Sequence, residues 1–205
     1  MHFYPIHWTL GQVTYWSLAH PSLFSPKYRP MSPFLLLDDV EAIQKESQSN
    51  YINPAKITEE VRLRILGAGV TGFEGWTDEN LPVRWQTKPE KLPANIKVQE
   101  GYQPIKRFLA ALVYSYESDS FKILQMTQKT LMDQLFKYYR DTDYGDPANY
   151  DIKISKTGVK KDTTYTLIAS PPKALPATIV DRYEKFYCNL DNLFDGTDPF
   201  TPPTA

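Results

Sequence analysis

Basic and aromatic side chains lie close together in the sequence at two places near the middle of the 205-residue chain. The pair Arg84–Trp85 forms the first place, and the pair Lys106–Arg107 leads into a run that contains Tyr114 and Tyr116. A flat ring can stack on a nucleic-acid base, and a cation can contact a phosphate. We therefore interpret these residues as parts of a single-strand binding path in which cations and rings alternate.

Further residues of the same two types extend this path. Each has an ordinary alternative, because aromatic residues in strands are often core residues and most surface lysines are simply solvated. The candidates for base stacking are Phe73, Trp76, Trp85, Tyr102, Tyr114 and Tyr116. The candidates for phosphate contact are Arg62, Arg64, Arg84, Lys88, Lys91, Lys106, Arg107, Lys122, Lys153 and Lys156.

The elements that must position these residues follow a simple order. Residues 108–116 and 121–126 are rich in β-forming types and predict a hairpin. Residues 127–141 predict an amphipathic helix, and residues 151–155 and 163–170 predict a second hairpin whose turn contains a glycine. The order is strand, strand, helix, strand, strand.

The helix prediction rests on a start signal and on the spacing of apolar residues. Thr127 is the predicted N-cap. The apolar residues predicted to face the strands are Leu131, Met132, Leu135, Phe136 and Tyr139.

One more strand precedes these elements. In residues 57–66, Val61, Leu63 and Ile65 alternate with arginines, which predicts a half-buried strand. The following glycines allow residues 70–76 to continue it around a barrel corner. Five strands with a helix between the third and fourth predict a mainly β fold, the five-stranded Greek-key barrel called the OB-fold.

The predicted OB-fold domain covers residues 51–176 and contains one long connection. Residues 78–107 are rich in proline and lysine and lie between the first two strands of the barrel. Because about thirty residues exceed the length of an ordinary turn, we expect a binding loop there.

Four stretches of this domain resemble a known family. They are VRLRILGAGVTGFEGWT with PVRW after it, PIKRFLAALVYSYES, FKILQMTQKTLMDQL, and YGDPANYDIKISKTGVKKDTTYTLIASPPKAL. The sequence resembles the single-stranded DNA-binding proteins of tailed bacteriophages. The resemblance implies a protein that coats single-stranded DNA without marked sequence preference, during phage replication, recombination or repair in the cytoplasm of the infected cell. Some members hold zinc, but residues 57–176 contain no Cys or His, so we expect no metal or cofactor.

The C-terminal residues 177–205 differ from the barrel in composition. Residues 177–187 predict a short helical stretch, and the remainder is acidic, lacks a packing period and is expected to be disordered. The resemblance implies a tail that recruits replication proteins and competes with DNA; a tail without a role is the alternative. The tail residues proposed for this role are Asp191, Phe194, Asp195, Asp198 and Phe200.

The first fifty residues predict an irregular extension and linker. Residues 1–30 have no sustained period, and a functional arm and an upstream extension or inaccurate start codon are equally compatible with them. His2, His7 and His20 lack the spacing and neighbouring ligands of a metal site. Residues 38–50 are polar and are interpreted as a linker.

Several other classes of protein are disfavoured by the sequence. No apolar run approaches the length of a membrane span, and no signal peptide is expected. The single Cys188 excludes an internal disulfide and is expected to be an inert packed thiol. An enzyme is disfavoured because the barrel lacks His and Cys, and the acids of residues 141–146 fit turns better than a calcium loop. A protein-interaction or virion-associated adaptor module remains the alternative function, and the oligomeric state is left open.

Overall fold

A computed structural model describes residues 49–203 of the chain. These residues belong to one compact unit that spans residues 42–205. The predicted N-terminal extension, its three histidines and most of the linker at residues 38–50 lie outside the described residues.

The described chain contains eight strands and three α-helices. The strands are β1 (Tyr51–Ile52), β2 (Val61–Ile65), β3 (Val70–Trp76), β4 (Pro82–Trp85), β5 (Ile105–Ser115), β6 (Ser120–Met126), β7 (Asp151–Thr157) and β8 (Thr164–Ala169). The helices are α1 (Lys129–Arg140), α2 (Ala177–Tyr183) and α3 (Asn192–Asp195). None of the described helices has the length and apolar character needed to cross a membrane.

The strands form one mixed sheet in the order β1-β6-β5-β2-β7-β8, with β3 and β4 attached beside β5. Strands β7, β2, β5 and β6 lie side by side in the order of a Greek key. The mainly β prediction is confirmed. A closed five-stranded barrel is not confirmed, because the described sheet has eight strands and its path is open, with β1 and β8 at the two ends.

A side chain of α1 covers the outer edge of β8. The Gln134 side-chain oxygen accepts a hydrogen bond from the Leu167 amide, and its nitrogen donates to the Tyr165 carbonyl. An amide group has the same donor and acceptor pair as a strand residue, so Gln134 satisfies backbone groups that an adjacent strand would otherwise pair.

The predicted bent strand is present as two strands that lie end to end along β5. Ile65 of β2 is opposite Val113, whereas Val70 of β3 is opposite Ala110. Four residues on one side of the ladder therefore face two on the other, so the chain bulges between β2 and β3. The strand period begins at Val61, not at residue 57.

Both faces of the β5–β6 hairpin are buried, each under a different part of the chain. On the helix face, the side of the sheet that carries α1, residues such as Leu109, Val113 and Leu124 share a core with Leu131 and Leu135 of α1. On the opposite side, which we call the tail face, the covering residues come from the C-terminal segment, residues 175–203. The buried residues of β5 and β6 on the tail face are Phe108, Ala110, Leu112, Tyr114, Phe121 and Ile123.

The prediction of a disordered C-terminal tail is wrong. Leu190 and Leu193 are buried against Phe108 and Ile123, and the Phe194 ring lies 5.9 Å from the Phe108 ring. Gly72 permits this approach, because a Cβ atom there would lie 2.7 Å from the Phe194 ring. The tail is ordered because it covers apolar residues of the sheet that would otherwise contact water.

The acids of the tail also stabilise its fold locally. Asp195 accepts hydrogen bonds from the Thr197 amide and hydroxyl, and Asp198 accepts one from the Phe200 amide. The Asn189 amide donates to the Pro199 carbonyl at 2.8 Å and closes the intervening residues into a compact loop. Asp195 and Asp198 are therefore turn residues of a folded segment.

The single cysteine, Cys188, is half-buried in this segment. Burial, with a smaller effect from Asp198, raises the pKa of its thiol to about 11. The thiol is therefore protonated at neutral pH, which agrees with the predicted inert role.

Two details of the helical predictions are wrong. Helix α1 begins at Lys129 with Gln128 as N-cap, and no side chain caps it, so Thr127 does not have the predicted role. Phe136 and Tyr139 of α1 are exposed, whereas Leu131, Met132 and Leu135 are buried as predicted. The apolar pattern was wider than the strip of helix surface that contacts the sheet.

Replacing Leu193 by alanine tests the role of the C-terminal segment. Because Leu193 is buried on the tail face, we expect its loss to reduce the free energy of unfolding by about 2 to 5 kcal/mol. Chemical denaturation measures this change. Asp191→Ala, which alters an exposed side chain of the same loop, is the control and should change stability by no more than about 0.5 kcal/mol. A Leu193→Ala protein as stable as the control would show that the segment does not stabilise the sheet.

Candidate nucleic-acid interface

The predicted site residues on β3, β4 and β5 are divided between the two faces of the sheet. Successive side chains of a strand point to opposite faces, and residues directly opposite in a ladder share a face. Arg84 and Lys106 are both paired with Glu74 on the tail face. Trp85 and Arg107 are both paired with Phe73 on the helix face. Arg84 and Trp85 therefore lie on opposite faces of the sheet, and so do Lys106 and Arg107. One bound strand cannot contact all four of these side chains along a single face.

On the tail face, the predicted residues border a groove next to the C-terminal segment. The groove has a larger part of about 690 Å³ and a smaller part of about 280 Å³, and both are lined by Glu74, Trp76 and Thr127. We call the two parts together the Trp76 groove. The Trp76 side chain is 46% exposed and lies where the two parts meet.

Rings and cations are distributed along the whole Trp76 groove. Tyr51 lines the larger part, and Tyr102, which is 64% exposed, lines the smaller part. The basic residues that line the groove are Lys56, Arg84, Lys97 and Lys106, whereas Glu74 is the acid. Among the residues that the structure describes, the groove thus combines three aromatic side chains with an excess of positive charge.

A hydrogen-bonded network holds the floor of the groove. Arg84 Nε donates to Glu74 Oε2 at 2.9 Å, and Arg84 Nη2 donates to the Gln125 side-chain oxygen at 3.0 Å. The Gln125 amide donates to the same Glu74 oxygen. Glu74 is buried, and its ion pair with Arg84 compensates its charge. The excess positive charge of the groove therefore comes from the lysines.

A second cluster of predicted residues lies on the helix face of the same three strands. The Arg107 guanidinium is 5.0 Å from the centroid of the Phe73 ring, and Trp85 is opposite Phe73 in the ladder. Phe73 and Trp85 are half-buried, while Arg107 is exposed. This cluster offers less accessible aromatic surface than the Trp76 groove.

Arg62 and Arg64 bind Asp151 on β7. Arg64 is 1% exposed, and its Nε lies 2.6 Å from Asp151 Oδ1, while its Nη1 donates to the carbonyls of Ala148 and Lys173. Arg62 Nε donates to the other carboxylate oxygen at 2.9 Å. Arg64 is therefore not accessible to a phosphate. It joins β2 to β7 and to the turn before β7.

The ionisation of Asp151 reflects this pairing. Burial alone would raise the pKa of its carboxyl group, but hydrogen bonds from Arg62, Arg64 and Tyr116 outweigh burial and lower it. Tyr116 donates to Asp151 at 2.9 Å and lies under the Arg62 guanidinium. Tyr116 is consequently part of the same structural network.

Tyr114 also has a structural position. Its ring is 6% exposed and contacts Phe121 and Tyr116, and its hydroxyl donates to Asp119. A ring in this position has little surface free for a base. Tyr114 is therefore a core residue of the tail face. This is the alternative that the sequence left open for aromatic residues in strands.

The remaining predicted lysines are scattered. Lys88 and Lys91 are exposed between β4 and β5, and Lys122 is half-buried on β6. Lys153 forms an ion pair with Glu60 at 2.9 Å, and Lys156 donates to the Ala55 carbonyl. None of the five lines the Trp76 groove.

Sequence reasoning missed Tyr51, Lys56 and Lys97 as residues of the groove. Tyr51 lies in a strand of only two residues, which has no period to recognise. Lys97 lies in the predicted binding loop, whose richness in lysine was the available signal. The loop itself is shorter than predicted, because β4 forms a hairpin with β3 before the loop begins.

The acids before β7 have the predicted turn role. Asp141 accepts the Asp143 amide, and Asp146 accepts the Ala148 amide, both at 2.9 Å. Within residues 49–203, no group of three or more Cys, His, Asp and Glu side chains is arranged to hold a metal ion. The glycine of the β7–β8 hairpin, Gly158, has the positive φ of 74° that its turn requires.

Comparisons of the chain with protein-family models, curated proteins and solved structures find no match.

The Asp151 network yields a stability prediction. Asp151→Asn leaves Arg64 buried without its counterion, so we expect a loss of about 3 to 5 kcal/mol in the free energy of unfolding at neutral pH. Because the pKa of Asp151 is lower in the folded protein, its ionisation stabilises the fold above the unfolded-state pKa, about 3.9. That contribution is lost as the pH falls through the folded-state pKa.

Denaturation at several pH values measures both effects. The variant should lose less stability than the wild type as the pH falls below about 4. Glu60→Gln is the matched control, because it removes an exposed partner of Lys153 and should cost no more than about 1 kcal/mol. Equal small losses in the two variants would contradict a structural role for the buried pair.

Proposed function

We propose that the protein binds single-stranded DNA in the Trp76 groove, without marked sequence preference and without catalysing a reaction. A strand in this groove would place its bases against Trp76, Tyr51 and Tyr102 and its phosphates near Lys97 and Lys106. Stacking accepts every base, and charge attraction accepts every phosphate, so this chemistry has little dependence on sequence.

The observation that carries the proposal is the exposure of Trp76 between the two parts of a basic groove. Accessible rings beside cations are the combination that single-strand binding proteins use, because the rings stack on bases and the cations contact phosphates. The network of Arg84, Glu74 and Gln125 supports it, because a rigid floor reduces the entropy lost when a strand binds.

The topology gives independent support. An OB-fold binds oligonucleotides on the face of its second and third strands, with help from the loop between the first two strands. In the Greek-key order of this sheet, the β5–β6 hairpin corresponds to those two strands. The groove contains Gln125 of β6, Lys106 of β5 and Lys97 of the preceding loop. We therefore interpret the open sheet as a variant of the OB-fold.

The biological setting follows from the sequence resemblance alone. We propose that the protein acts as a single-stranded DNA-binding protein of a tailed bacteriophage, in replication, recombination or repair in the cytoplasm of the infected cell. Recruitment of replication proteins by the C-terminal segment would have to use its exposed surface. Phe194 and Phe200 are packed against rings of the folded protein and are not free anchors.

Titration of labelled oligo-dT at several salt concentrations tests the binding. We expect the logarithm of the affinity to fall linearly with the logarithm of the salt concentration, because binding releases condensed cations. With about two phosphate contacts, near Lys97 and Lys106, the slope would be about −1.4. Absence of binding at low salt would overturn the proposal and leave the adaptor module as the better interpretation.

Trp76→Ala tests the stacking surface. Loss of the ring should weaken oligo-dT binding by about 1 to 3 kcal/mol, with a smaller effect on folding stability than the loss of a core residue, because nearly half of the residue is exposed. Fluorescence anisotropy measures the affinity. Tyr139→Ala removes a 57% exposed ring on α1, outside the groove, and should bind like the wild type. Equal affinity in the two variants would place the binding surface elsewhere.

A further inference from the structure

A second basic pocket lies on the tail face, beyond the end of the Trp76 groove. It measures about 520 Å³, and its lining includes Ser120, Arg182, Lys185, Phe186 and Phe200. Neither Arg182 nor Lys185 was among the residues that the sequence suggested. We call this space the Lys185 pocket.

Two aromatic rings connect the pocket to the groove. Tyr51 lines the groove and Phe200 lines the pocket, and their ring centroids are 6.3 Å apart in an edge-to-face arrangement. Tyr51 is paired with Ile123, which lies between Ser120 of the pocket and Gln125 of the groove on β6. Five residues of extended strand separate these ends, a distance of about 17 Å. An extended strand can therefore reach from the groove to the pocket across Tyr51 and Phe200.

The cations of the pocket can accept a new partner. Arg182 donates to the side chain and to the carbonyl of Asp119, both at 2.7 Å, and its guanidinium lies over the Tyr114 and Phe121 rings. Both charged side chains are substantially exposed, and exposed ion pairs contribute little stability. Within the described chain, Lys185 is exposed and has no ion pair. A phosphate could thus approach Lys185 directly and share the exposed part of the Arg182 guanidinium.

We propose that Lys185 and Arg182 form a phosphate subsite for the strand that leaves the Trp76 groove past Tyr51 and Phe200. This inference rests on the proposed function, and it extends the binding site onto the C-terminal segment. In addition to covering the sheet, α2 and the residues after it would contribute to binding. The ligand class is the phosphodiester backbone of a single strand that is long enough to occupy both places.

The length of the strand separates this subsite from the groove. Oligo-dT of about 5 nucleotides can occupy the groove alone, whereas about 15 nucleotides can also reach the Lys185 pocket, both within the range of known sites. We expect Lys185→Glu to weaken binding of the long strand by about fivefold or more at roughly 0.1 M salt. Its salt slope should decrease in magnitude by about 0.7, the value for one lost phosphate contact. Binding of the short strand should remain within about twofold of the wild type, because screening weakens the effect of a charge about two Debye lengths away.

Two further variants separate the charge of the pocket from general effects of charge. Lys161→Glu makes the same charge change at an exposed residue of the β7–β8 hairpin and should leave both strands unaffected. Arg182→Lys keeps the positive charge and should retain most of the long-strand affinity. Unchanged long-strand binding in Lys185→Glu, or an equal loss for both lengths, would overturn the subsite while leaving the groove in place. If the wild type bound neither strand, the proposed function itself would fail.

Discussion

The structure depends on burying both faces of strand β5. Its residues from Phe108 to Ser115 are buried without interruption, so neither face of the strand can be left to water. Helix α1 covers one face, and the C-terminal segment covers the other. The free energy gained by removing this apolar surface from water must offset the entropy lost by ordering about thirty C-terminal residues. The segment is therefore part of the fold.

The position of the groove follows from where this cover ends. The C-terminal segment packs over Phe108, Phe121 and Ile123, but Gln125 lies beyond it and lines the groove. Phe194 approaches Gly72 at the boundary, and Arg84 lies over the Phe108 ring. The tail thus packs against Gly72 and Phe108, next to the groove floor at Arg84, although no residue of the segment lines the groove itself. If DNA binds there, folding of the segment and shaping of the site are linked, which distinguishes this arrangement from a flexible tail that merely competes for the site.

Burial decides the role of each basic residue. Arg64 is enclosed and pairs with Asp151, and removing Asp151 would leave the charge of Arg64 uncompensated in the interior. Arg84 is half-buried and fixes the groove floor through Glu74, whereas Lys97 and Lys106 are exposed in the groove. Basic residues that look alike in the sequence therefore have three different roles. Arg64 joins strands, Arg84 holds the groove floor, and Lys97 and Lys106 remain exposed in the groove. Arg64 and Arg62 stand two residues apart on the same strand, yet only Arg62 remains partly exposed.

The sequence by itself determined the order of the main elements, because the periods of β2, β5, β6, α1, β7 and β8 are local properties of short stretches. It also identified the Trp76, Arg84, Tyr102 and Lys106 side chains of the groove by residue type. Only the tertiary structure decided which face each residue occupies, since a shift of one residue in register reverses every side chain. It also decided that the C-terminal segment is ordered. The acidic composition of the segment suggested disorder, but its few leucines and phenylalanines meet an uncovered apolar face that is distant in the sequence. Contacts between such distant segments leave no periodic signal in either one, and for the same reason Tyr51 became a groove residue only when β1 paired with β6.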